Sequence, residues 1–181
     1  MNPPHHQIGG TYLRLADPGW VDPLDATFAA SSGGRWNPAT GAPGTPSGGI
    51  LTLYLNADMQ TARANARARL KGLPYGPEDL DPATAPVLVD VSVPDGQGWD
   101  LRCDEGLAAV ALPETYPVAA DGTPIGWARC QLVGLDAWRS GADGIACRSA
   151  AEGGNEELAW FGRNKRPVSS TPRSFDVWYW A

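Results

Sequence analysis

The segment Gly33-Gly34-Arg35-Trp36-Asn37-Pro38 gathers several residue types that handle nucleotides. Paired glycines let a backbone approach a ligand closely. Arg35 brings a planar fork of donors that matches a phosphate, and Trp36 offers a face on which a ring can stack. Such a group suits a nucleotide or dinucleotide; the alternative is a surface turn around a packed tryptophan. Arg14 is a second anomaly, a charge within the otherwise apolar run Thr11–Leu15, where it needs either solvent or a partner. Two arginines brought together would bracket a pyrophosphate; the alternative is an exposed strand face. Tyr54 presents a ring or hydroxyl near a strand end, and Ser149 follows the short apolar run 144–147. Glu156-Glu157 offers a general base or a metal-binding pair, weighed against a solvated turn.

Inventory excludes other chemistry. The only histidines are His5 and His6, so neither Ser149 nor a cysteine has a base to complete a hydrolase triad. Two histidines without a Cys or carboxylate cluster make a poor metal site, and no metal is expected. The chain contains neither a P-loop lysine motif nor a GxGxxG after a strand.

These residues must be carried by short elements. Thr11–Leu15 and Ile50–Asn56 alternate as strands. Asp58 caps a predicted helix that runs to about Lys71 and closes at Gly72. Within it Met59, Ala62, Ala66 and Leu70 share one face, Asn65 sits at the rim of that face, and Arg63, Arg67 and Arg69 fall mostly outside it. Further strands are expected at 87–93, 99–103, 144–147 and 158–161. Residues 128–133 read as extended, 135–140 as a helical turn, and the aromatic end 174–180 as a strand. The resulting class is α+β, a mixed and largely antiparallel sheet with few short helices.

At the scale of the chain, 181 residues make one domain's worth of polypeptide, with 43% hydrophobic and 19% charged residues, an ordinary globular composition. The net charge of −6 argues against a general phosphate-backbone binder or an anionic membrane surface as partner. No apolar run reaches the length of a spanning helix. Met1–Gly10 lacks the basic and apolar regions of a secretory signal and is expected to be a flexible polar terminus. Three cysteines, odd in number and without CxxC spacing, read as reduced thiols in a cytoplasmic protein.

Taken together, LRL around Arg14, GGRWNP at 33–38, YLN at 54–56 with TARAN behind it, CQLVGLDAW at 130–138, and GIACRSAA at 144–151 followed by NEELAWF resemble the RES-domain family over roughly residues 10–162. The resemblance implies an ADP-ribosyltransferase-like fold. It also implies a toxin-like activity that consumes NAD by phosphorolysis or hydrolysis, or transfers ADP-ribose, and an antitoxin as partner, with the loop 39–49 in its path. By the same resemblance Arg14, Arg35, Tyr54 and Ser149 line the NAD pocket, with Tyr54, Ser149 and the residue at position 65 at the chemistry; Trp36 joins the binding residues through its stacking face. The chain departs from the pattern in two places. Asn65 stands where the family's helix usually ends in Glu, and Arg148 stands where a proline often precedes the serine. Asn65 hydrogen-bonds a ribose hydroxyl but carries no charge. The protein then cleaves NAD slowly, employs another carboxylate such as Glu157, binds without cleaving, or has a different reaction.

Overall fold

The computed structural model describes residues 3–163 and 165–181. The first two residues of the expected polar terminus lie outside these. The rest of that terminus is not loose. Strand β1 begins at His5 and runs to Ala16, and Ile8 within it is buried. Its partner is β3 (Val87–Leu101), a single 15-residue strand where the sequence suggested two. The two pair antiparallel from His5↔Trp99 to Ala16↔Val87, with an irregularity between Ile8 and Gly10. A long partner therefore extends both strands through glycines that would end an isolated one.

Four more strands complete the six-stranded sheet: β2 (Thr52–Asn56), β4 (Gly144–Arg148), β5 (Glu156–Phe161) and β6 (Val168–Ser169), in the order β1-β2-β5-β4-β3-β6. Because β1 also pairs with β3, the ladder β1-β2-β5-β4-β3 curls back on itself. Only β3–β4 is parallel, so the sheet is mixed and mostly antiparallel as expected. Two side-chain clusters fill it: one around Trp36, Leu101, Leu107, Ile145 and Phe161, the other around Ile8, Leu55, Val91 and Trp160.

The helices are short. They are α1 (Thr27–Ser32), α2 (Met59–Ala68), α3 (Asp104–Ala109), α4 (Trp127–Arg139) and α5 (Phe175–Trp178). For α2 the sequence signals hold. The Asp58 carboxylate accepts from the Thr61 amide at 2.7 Å, and Ala62 and Ala66 face inward. The chain leaves helical geometry near Arg69, slightly before the glycine at 72.

Two readings are corrected. Residues 128–133 are not extended but the first half of α4. Its buried positions are Cys130, Val133, Gly134, Leu135 and Ala137; Cys130, Val133, Gly134 and Ala137 follow a spacing of three and four that the apolar run Leu132–Leu135 hides. The aromatic end 174–180 is not a strand. Phe175, Trp178 and Tyr179 turn inward from one helical turn, and tertiary packing with Leu88 and Ala62 overrides their β propensity. No helix among the described residues is long and apolar enough to cross a membrane.

Candidate functional site

A cleft of roughly 730 Å³ opens where β1, β2, β5, α2 and the 33–38 loop converge, within the size range of small-molecule sites. Its walls include Arg14, Arg35, Tyr54, Asn65 and Glu157. Four residues named from the sequence as ligand-binding or catalytic therefore do meet in one place.

The 33–38 loop is held by its backbone. Gly33 takes φ +77°, a conformation that favours glycine. Gly34 passes so close to the Tyr54 ring that a side chain there would collide with it. The Tyr54 hydroxyl accepts from the Trp36 amide at 2.8 Å and donates to Asn37 Oδ1 at 2.7 Å. Asn37 in turn donates to the Ala29 carbonyl at 2.7 Å. Burial pushes the Tyr54 phenol well above its ordinary pKa, only partly opposed by the Trp36 amide bond. Tyr54 therefore stays a protonated phenol that fixes the loop.

Trp36 departs from expectation. Its side chain is 0% exposed, and it packs in the core against Tyr116 with ring centroids 5.8 Å apart. No face is open to a ligand, so the stacking role is withdrawn. Aromatic surface at the cleft comes instead from Trp20, Phe28 and Trp127, which are exposed. In the sequence these three sit apart from any motif, so no spacing marked them.

The cationic side is better furnished than the sequence suggested. Arg14 is buried, donating from Nε to the Pro23 carbonyl at 2.7 Å and from Nη2 to the Asp25 carbonyl at 2.8 Å. Burial lowers its pKa to about 10, and the like charge of Arg69 adds to the effect. Arg35 gives one bond to the Ile125 carbonyl, at 3.2 Å. Arg69 also lines the cleft; helical spacing had placed it off the apolar face, which is correct, but that direction leads into the cleft. Among the described residues none of these three arginines forms an ion pair. Of the three only Arg14 is buried, and a buried cation without a bonded carboxylate attracts an anion strongly, because the fold has already desolvated it.

The floor is polar and cross-linked. Asn65 Nδ2 donates to Asn56 Oδ1 and to Glu157 Oε1, both at 2.8 Å. Ser149 Oγ donates to the same Glu157 oxygen at 2.5 Å and accepts from the Ala151 amide at 3.1 Å. Ser149 is buried and reaches the cleft through Glu157 rather than from its wall. The acidic pair is no solvated turn: Glu156 and Glu157 lie on β5, and strand alternation sends them apart. Glu156 meets Arg102 at 3.0 Å, while Glu157 faces the cleft. Register across the sheet sets Asn56 directly opposite Glu157. The arrangement can hold an anionic, dinucleotide-sized molecule at the arginines and present a carboxylate to a sugar on the floor.

Comparison with known proteins adds to this geometry. The chain resembles the crystal structure of the M. tuberculosis MbcT–MbcA toxin–antitoxin complex. The TM-score is 0.75 at 20% identity, covering 98% of this chain and 92% of that one, a likeness of fold. A search of curated proteins finds no match. The family model described as RES domain matches residues 11–180. That span takes in every cleft residue named above and all six strands but the start of β1, and on it the chain belongs to the RES-domain family.

Proposed function

We propose that the chain binds NAD in this cleft and cleaves its nicotinamide–ribose bond, as a toxin-like enzyme that an antitoxin holds in check. The observation that carries the reading is the pairing, in one cleft, of a floor carboxylate with three arginines that have no ionic partner among the described residues. A dinucleotide carries its negative charge on the pyrophosphate, which suits Arg14, Arg35 and Arg69. Its nicotinamide ribose then reaches the floor. As the C–N bond breaks, its electron pair passes to the pyridinium ring, which leaves as neutral nicotinamide. Positive charge develops on the ribose, and a carboxylate stabilises it. The sugar carbon is then taken by an oxygen of water, with loss of a proton, or of phosphate. Membership of the RES family supports the toxin reading, as does the fold shared with a protein crystallised beside its antitoxin.

Incubating the purified protein with NAD, with and without phosphate, while following free nicotinamide tests the proposal. Catalytic release is expected, and the effect of phosphate identifies the acceptor. Saturable NAD binding without release would make the protein a binding module, and an absence of both would overturn the reading.

A further inference from the structure

We propose that Glu157 is the catalytic carboxylate of this cleft and that Asn65 and Ser149 are positioning residues acting through it. The assignment rests on the reading of the cleft as a site of N-glycosidic cleavage. It changes the division of labour that the sequence suggested, in which Asn65 and Ser149 met the substrate themselves.

Three acidic residues line the cleft: Asp17, Asp25 and Glu157. Two are occupied in shaping their own loops. Asp17 accepts from the Gly19 amide at 2.8 Å, and Asp25 accepts from the Thr27 amide at 2.8 Å. Glu157 is held quite differently. Both of its donors, Asn65 Nδ2 at 2.8 Å and Ser149 Oγ at 2.5 Å, converge on one oxygen, Oε1. Among the described residues no hydrogen bond reaches Oε2.

The donors are themselves fixed. Asn65 is tied to Asn56 at 2.8 Å, and Asn56 donates to the Leu13 carbonyl at 3.1 Å. Ser149 accepts from Ala151 at 3.1 Å. A chain of bonds drawn from β1, β2, α2 and the β4–β5 turn thus ends on a single carboxylate oxygen of a residue that lines the cleft, and among the described residues the other oxygen is left unbonded. A group fixed in this way needs little reorganisation when positive charge develops beside it. An amide suits position 65 in this role. It donates, whereas a second carboxylate there would repel Glu157.

Glu157→Gln keeps the shape and the accepting oxygen and removes the charge. The expected result is a fall of about 100-fold or more in the rate of nicotinamide release, with the Kd for ADP-ribose changed by no more than about threefold. Glu157→Asp retains the charge but withdraws it by one methylene. It should bind ADP-ribose normally and cleave NAD more slowly than the native protein, which keeps the assignment testable if the Gln variant fails to fold. For the positioning role, Ser149→Ala should lower kcat while leaving the ADP-ribose Kd unchanged, and Ser149→Thr, which keeps the hydroxyl, should restore kcat. Native-like cleavage by a folded Glu157→Gln or Glu157→Asp protein would overturn the assignment of Glu157 alone. An unchanged kcat in Ser149→Ala would overturn the positioning role. If the native protein releases no nicotinamide, the parent reading falls and this assignment falls with it, so the two failures are distinguishable.

Discussion

Arg35 lines the cleft, and among the described residues one of its five donors is bonded within the chain, to the Ile125 carbonyl. In a chain of net charge −6, a dianionic pyrophosphate depends on such local cations. Arg35→Ala should weaken NAD or ADP-ribose binding by about 1.5–3 kcal/mol, the scale of one charged hydrogen bond. Calorimetric titration checks this, and undiminished affinity in a folded variant would contradict the assignment. The chemistry of single side chains is what the sequence exposed best: Arg14, Arg35, Tyr54 and Asn65 all reach the cleft. It failed where direction mattered. A tryptophan beside an arginine in a glycine-rich loop reads equally as platform or as core, and only the fold, by burying Trp36 completely, decides. The pair Glu156-Glu157 reads as a solvated turn until strand alternation is known to separate it. Arg69 falls outside the apolar face of the α2 segment, and the sequence does not show that the cleft lies beyond that face.

Elements position these residues through close approaches that leave little tolerance. Helix α4 lies against the 33–38 loop, where Gln131 Nε2 donates to the Gly34 carbonyl at 2.9 Å. A Cβ at Gly134 would run into the backbone carbonyl of Trp36, and backbone gives way less easily than a side chain. Gly134→Ala should therefore destabilise the protein by about 1–3 kcal/mol, as overpacking does, despite alanine's better helix propensity. Denaturant unfolding measures this, and a gain in stability would show that α4 does not press on the loop. The same contact explains why α4 was hard to read. Its central glycine lowers local helix propensity, and the apolar run around it resembles a buried strand. Helix α2, by contrast, was legible because the Asp58 cap and the alanine stripe act locally.

Across the whole molecule, the α+β class and the mostly antiparallel sheet followed from the strand pattern, and the site motifs pointed to the RES family. Closure of the ladder was not visible, since it depends on β1 and β3 pairing over their full lengths, and long-range register leaves little trace in either strand alone. That closure brings β1 and β2 side by side next to β5 and so unites Arg14, Tyr54 and Glu157 at one cleft. The central claim is that this cleft places a dinucleotide with its phosphates on the arginines and its nicotinamide ribose against Glu157. A crystal structure with a carbocyclic, non-cleavable NAD analogue tests it most directly. The account predicts the pyrophosphate among Arg14, Arg35 and Arg69, and the C1′ side of the nicotinamide ring-bearing sugar within about 3 Å of Glu157 Oε2. An analogue bound elsewhere, or bound in the cleft with its sugar turned away from Glu157, would contradict it.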